Sequence, residues 1–274
     1  MSIADILAGA NFSFEKRFGQ NFITDKNLLA AIVDEAGVTG GTVLEIGAGA
    51  GTLTAALAAK ADRVISYEID KNLAPVLSQT LAGLDDKAEV IFRDIMKESD
   101  EELDGILGGA YKLVANLPYY ITTPVIMRFL EREHKPESVS VMVQKEVGER
   151  LIAAPGTADY GAITAAVALE GTARITRIVP RTMFTPRPNV DSCVVRIDMH
   201  GKYDGADKQL VKKIIRAAFA MRRKTLANNL CAAFSVTRGE AEGLLTSCGF
   251  DVRVRGEKLG VEDFIKLAEN LKKQ

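Results

Sequence analysis

Residues 45–54 read EIGAGAGTLT. An apolar run, TVLEIG (42–47), enters glycines at alternate positions, and TLTAALAAKA (52–61) follows with helical composition. A strand that turns this tightly into a helix needs glycine, which adopts positive φ freely and admits close approach of backbone or ligand. Downstream, RVISYEID (63–70), AEVIFRDIM (88–96), YKLVANLP (111–118) and SVSVMVQ (138–144) are strand-like runs. NLAPVLSQTLAGL (72–84) and TPVIMRFLERE (123–133) lie between them with helical character. Strands alternating with helices predict βαβ units and a mostly parallel, doubly wound α/β sheet. Residues 161–171 read as a helix, and TARITRIVP (172–180) and SCVVRIDM (192–199) as two further strands.

Strand signals stop near residue 200. HGKYDGAD (200–207) reads as a linker. Apolar residues at 210, 214, 215, 218 and 219 then form a helical stripe, and two more amphipathic segments lie near 238–248 and 261–272, with Gly249 closing the first. The expected organisation is an α/β domain over 1–200 and a small all-helical domain over 201–274. With 274 residues the chain has ample length for such cores. No run of about 18 apolar residues predicts a membrane span, and no signal-peptide pattern opens the sequence. Cys193, Cys231 and Cys248 are odd in number and widely spaced, which suits a reducing cytoplasm and neither a disulfide framework nor a zinc pattern. With only His134 and His200 present, a His-based metal site or triad is not expected. Charge is uneven: residues 1–180 hold 17 Lys/Arg and 25 Asp/Glu, whereas residues 181–274 hold 18 and 11. A basic last third suits a polyanionic partner or a solvated helical surface.

Three polar residues stand at the exits of successive strands. Glu68 follows Gly47 by 21 residues, where a carboxylate can accept from both ribose hydroxyls of a nucleoside. The glycines Gly47, Gly49 and Gly51 give GxGxG rather than the dinucleotide GxGxxG. Asp94 can accept from an exocyclic amine such as adenine N6, or merely cap the next turn. NLPYY (116–120) ends the fourth parallel strand. There the Asn116 oxygen can accept a hydrogen from a target amine. Pro118 stiffens the turn so that the Leu117 carbonyl can point at the same amine, and Tyr119 offers a face for stacking a base. Two acceptors around an amine favour a more tetrahedral nitrogen with its lone pair free. The proton of a newly alkylated aromatic amine is lost to water, so no histidine is required.

EIGAGAG, Glu68, Asp94 and NLPYY together resemble an S-adenosylmethionine-dependent N6-adenine methyltransferase. KRFGQNFITD (16–25), NLPYYITTP (116–124), FTPRPNVDS (184–192) and AFAMRRKTLANNL (218–230) resemble the KsgA family of small-subunit ribosomal RNA adenine dimethyltransferases, in the family's order. The resemblance implies a Rossmann-like class I methyltransferase sheet with a helical C-terminal domain. It implies cofactor contacts from Gln20, Asn21, Ile23, Gly47, Gly49, Glu68, Asp94 and Asn116. A catalytic loop is implied at Asn116, Leu117, Pro118 and Tyr119, with Phe184 helping to hold a flipped adenine. It also implies dimethylation of two adjacent adenosines in a hairpin loop near the 3′ end of 16S rRNA, within the immature 30S subunit, and a checkpoint role in assembly. Ala48 stands where Pro is frequent, and Tyr120 where Asn or another polar residue is frequent; the latter bears on how the site fits a monomethylated amine.

Phe184 and its two-proline loop would otherwise read as a strand connection with a core plug. Lys208, Lys212, Lys213, Arg216, Arg222, Arg223 and Lys224 form a basic stretch opposed only by Asp207, able to track phosphates. Arg222, Arg223 and Lys224 are the preferred RNA contacts, the alternative being pairing with carboxylates. Cys193 alternates with apolar neighbours and reads as core. A cytoplasmic monomer without metal is expected. Three rivals share features with this pattern. A resistance methyltransferase acting on large-subunit rRNA would share the cofactor motifs, but VDS after FTPRP and the 218–230 helix favour the small-subunit enzyme. A non-catalytic assembly or transcription factor would not need the intact loop. A nicotinamide dehydrogenase would need a proton-relay His.

Overall fold

Seven strands form one sheet around the glycine-turn unit: β2 (Thr42–Ile46), β3 (Arg63–Tyr67), β4 (Ala88–Ile91), β5 (Tyr111–Asn116), β6 (Ser138–Gln144), β7 (Gly171–Val179) and β9 (Ser192–Met199). Their order is β4-β3-β2-β5-β6-β9-β7. Pairs β2–β3, β3–β4, β2–β5 and β5–β6 are parallel, and β9 runs antiparallel to β6. Two short strands, β1 (Phe22–Ile23) and β8 (Phe184–Thr185), pair separately. The computed structural model describes Ile6 and residues 21–118 and 120–272.

The strands read from the sequence are all present, and burial explains why they were legible. β6 is buried at every position but its last, so it reads as an unbroken apolar-to-small run. Helix α1 (Lys26–Glu35) starts where the Asp25 side chain accepts from Leu28 N–H at 2.8 Å. It packs Ile32 and Val33 with Leu53 and Leu57 of α2 (Thr52–Ala58) against Val43, Val64 and Val114 of the sheet. Each such aliphatic side chain contributes about 1.5–3 kcal/mol on full burial. Three more helices follow the strands: α3 (Ala74–Thr80), α4 (Asp100–Leu107) and α5 (Thr122–Glu131). The short α6 (Lys145–Leu151) follows β6.

The chain divides into two compact units, one of residues 1–148 and 174–199, the other of 149–173 and 200–274. The second is all-helical apart from the first residues of β7: α7 (Ala162–Glu170), α8 (Lys208–Ala220), α9 (Leu226–Phe234), α10 (Arg238–Ser247) and α11 (Val261–Leu271). A single cut near 200 therefore does not describe the partition, because residues 149–173 pack with the later helices. The reason is α7, AITAAVALE, which is apolar on nearly every side. Its Ala165 and Leu169 join Ile214, Leu226, Leu244 and Phe264 in one core. The Tyr160 hydroxyl donates to the Leu259 carbonyl at 2.8 Å.

The basic stretch is also not uniformly exposed. Lys208 and Lys212 turn inward to the buried Glu170 of α7, at 3.0 and 2.7 Å. Lys213 lies 4.6 Å from the centroid of the Phe234 ring. Thr225 caps α9, and the buried Asn229 donates to the Ala218 carbonyl at 3.0 Å, which fixes the junction between α8 and α9.

Candidate functional site

The sheet's order reverses at β2, whose neighbours are β3 and β5. Ligands of open α/β sheets sit outside the strands' carboxyl ends at such a point. A cleft of about 380 Å³ opens there, within the 300–1,000 Å³ range of small-molecule sites. Gly47, Gly49, Glu68, Asp94, Asn116, Leu117, Pro118 and Phe184 all line it, as do Asn21 and Ile23. Gln20 and Tyr119 lie outside the described residues.

The glycine turn makes one wall. Gly47, Gly49 and Gly51 have φ of +83°, +54° and +80°. A Cβ on Gly49 would lie 3.0 Å from the Phe22 ring, so glycine is needed there for conformation and for space. Glu68, 7 % exposed, holds this wall to the end of β3. Its Oε2 accepts from Gly49 N–H at 2.8 Å, and its Oε1 accepts from Ile69 and Asp70 N–H at 2.8 Å each. Burial raises its pKa, and the backbone donors oppose that rise. A carboxylate offers about four lone-pair sites. Three are already filled, so a ribose diol accepted at both hydroxyls would compete with the Gly49 bond.

Asp94 divides its oxygens. Oδ1 accepts from Met96 N–H at 3.0 Å and caps the turn Ile95–Lys97, while Oδ2 lies 3.8 Å from Lys97 Nζ. The capping role and a place on the cleft wall thus coexist. Asn116 ends β5, and its Nδ2 donates to the Asn21 carbonyl at 3.2 Å. That bond takes one of the amide's two N–H donors and turns Nδ2 toward the Asn21 backbone, which leaves Oδ1 as an acceptor. Past it, the Pro118 carbonyl accepts from Ile121 N–H at 3.1 Å and from the Thr122 hydroxyl at 3.4 Å, which turns the chain into α5. Phe184 is 5 % exposed and belongs to both core and cleft. β8 carries it, pairing Phe184 with Ile23 and Thr185 with Phe22.

Several cleft residues had no counterpart in the sequence expectations. Ile69 and Met96 follow the strand-end acids closely, and this adjacency was the available signal. Phe22 and Met142 gave none, since one lies within a two-residue strand and the other within an apolar run. Beneath the turn, the fully buried Glu45 of β2 accepts from the Thr54 and Ser66 hydroxyls at 2.6 Å each, both on Oε2, while Oε1 has no hydrogen-bond partner among the described residues. Desolvation pushes its pKa up to about 8.

In the second unit, Arg222, Arg223 and Lys224 are all exposed, and Arg222 donates to the Ala158 and Tyr160 carbonyls at 3.0 and 3.3 Å. Among the described residues no cluster of His, Cys, Asp or Glu could hold a metal ion, and no helix is long and apolar enough to cross a membrane.

A parallel sheet reversing at β2, an antiparallel strand inserted beside the last one, a glycine turn and acids at the next two strand ends define a class I methyltransferase. The family described as ribosomal RNA adenine dimethylase matches residues 11–273. The chain belongs to that family, and its activity is methyl transfer to adenine of ribosomal RNA. It is 42% identical over 269 residues to "Ribosomal RNA small subunit methyltransferase A" of Clostridioides difficile, covering 96% of this chain and 93% of the relative. The protein of the same name from Geobacillus thermodenitrificans is 42% identical, covering 97% and 94%. Among solved structures, a dimethyladenosine transferase from Plasmodium falciparum aligns with a TM-score of 0.78 at 24% identity, over 92% of this chain and 98% of that one. The 23S rRNA methyltransferase ErmE aligns with a TM-score of 0.69 at 26% identity, over 92% and 99%.

Proposed function

We propose that this enzyme uses S-adenosylmethionine to place two methyl groups on N6 of each of two adjacent adenosines in the 3′-terminal hairpin loop of 16S rRNA, acting in the cytoplasm as a monomer on the immature 30S subunit. The observation that carries the chemistry is the Asn21–Asn116 hydrogen bond, which leaves the Asn116 oxygen available to an amine at the end of β5. Three features of the cleft support that cofactor: a Cβ on Gly49 would press on the Phe22 ring at 3.0 Å, Glu68 retains one acceptor site for a ribose hydroxyl, and Asp94 offers an oxygen to an adenine amine. When bound, the cofactor supplies a methyl carbon made electrophilic by its sulfonium.

The chain's own residues prepare the nucleophile. Asn116 Oδ1 accepts one N6 hydrogen and the Leu117 carbonyl the other, which draws the nitrogen toward tetrahedral geometry and frees its lone pair. Tyr119 stacks the base and Phe184 closes it in. Removing the base from its stack is the energetic cost of access to the pocket. The N6 proton released after transfer goes to water. Arg223 and Lys224 contact RNA phosphates, and Arg222 braces the segment that carries them.

The test is methyl transfer from labelled S-adenosylmethionine to undermethylated 30S subunits, with mass analysis of the modified nucleoside. N6,N6-dimethyladenosine in 16S rRNA, absent with Asn116→Ala, is the expected result. Transfer to 23S rRNA instead would assign the chain to the resistance type, and binding without transfer to either would make it an assembly factor.

A further inference from the structure

Seven large apolar side chains are exposed among the described residues, and three of them line the cleft: Ile69 at 51%, Met96 at 36% and Tyr120 at 62%. Ile69 and Met96 follow Glu68 and Asp94, on the β3 and β4 half assigned above to the cofactor. Tyr120 lies on the other half, two residues beyond Pro118, in the turn that leads into α5. It is the only aromatic among the seven and the most exposed of them. An aromatic ring held at a cleft mouth presents π-surface, and nucleic-acid bases stack on such surfaces without sequence readout.

The proposed reaction supplies a base for that ring. Drawing one adenosine out of its stack deprives its strand neighbour of a stacking partner, and the neighbour is held at the mouth by the shared backbone. Resting on the proposed function above, we propose that Tyr120 is a second base-stacking subsite, which takes the adenosine adjacent to the one in the pocket. The ring replaces the stacking that the neighbour loses when the target leaves. It also keeps the second adenosine beside the entrance for the next transfer.

Base–aromatic contacts of this kind correspond to roughly 5- to 150-fold in affinity. The experiment compares wild type, Tyr120→Ala and Tyr120→Phe on undermethylated 30S subunits, with separate KM and kcat for RNA, cofactor Kd by calorimetry, and the ratio of singly to doubly modified adenosine pairs. Thermal unfolding of each variant checks its folding. For Tyr120→Ala the expectation is a KM for RNA raised about tenfold, an unchanged cofactor Kd and an accumulation of RNA modified at one adenosine only. Tyr120→Phe should behave as wild type, because the face rather than the hydroxyl makes the contact. A wild-type KM in Tyr120→Ala, a matching loss in cofactor affinity, or failure of phenylalanine to rescue would each overturn the subsite. Absence of transfer by the wild-type enzyme would instead overturn the functional reading on which it rests.

Discussion

Replacing Glu45 with glutamine should change how the fold responds to pH. Glu45 is fully buried under the glycine turn, and its carboxyl titrates at about 8 instead of the ordinary 4.5 because burial disfavours the charge. Between those two values the folded protein holds a proton that the unfolded chain has shed. Stability therefore falls as pH rises across this window, by about 1.4 kcal/mol per pH unit. The contribution is fully present below 4.5 and lost as pH climbs through 8. Glutamine keeps the shape and an acceptor for the Thr54 and Ser66 hydroxyls, and it has no proton to lose. The free energy of unfolding by urea should thus diverge between wild type and Glu45→Gln by about 4 kcal/mol between about pH 5 and about pH 8.5, in favour of the variant at the alkaline end. Differencing the two proteins removes the titrating groups that do not interact with Glu45, leaving its coupling to Glu68 as the one shared contribution. Parallel pH profiles for the two would refute the reasoning, since they would mean that the carboxyl is ionised in the fold at neutral pH or is reached by water.

Other outcomes follow from the same geometry. Asn116→Ala should lower kcat on the order of 100-fold or more by removing a preorganised partner of the reacting amine, read by single-turnover transfer. Gly49→Ala should weaken cofactor binding on the order of tenfold, because its φ of +54° and the nearby Phe22 ring oppose a side chain; calorimetry measures this. Lys212→Ala should cost about 3–5 kcal/mol in chemical denaturation by leaving buried Glu170 short of a counter-charge, and Glu170→Gln in the same chain should recover part of it. Arg223→Ala and Lys224→Ala should each reduce the slope of log affinity for RNA against log salt by about 0.7–0.9.

The parts of the fold legible in the sequence were those with a period or a fixed spacing. β2 to β5 announce themselves by apolar runs ending in Gly, Glu, Asp or Asn, β6 by its apolar run alone, and the same spacing pointed to Gly47, Glu68, Asp94 and Asn116. β1 and β8 could not be read, because two residues have no period, and only tertiary pairing puts Ile23 beside Phe184. Asn21 could be named from resemblance, but its carbonyl's bond to the Asn116 amide is a long-range contact that no local pattern encodes. Counting charge misassigned Lys208 and Lys212, since composition does not register which lysine faces a buried carboxylate. The apolar α7 signalled burial but not its partner, so residues 149–173 were placed in the wrong unit.

The chain leaves the first unit at residue 148, returns at 174 and leaves again after 199. During synthesis, β9 is therefore the last strand made, yet its place is between β6 and β7. Until residues 192–199 have emerged, β6 and β7 each lack a neighbour and offer open backbone edges to other chains. The helical unit waits longer still, because α7 is made before every helix that covers it. A chain released before Ser192 would thus carry two raw strand edges and an uncovered apolar helix, whereas one released within α11 would keep its sheet intact.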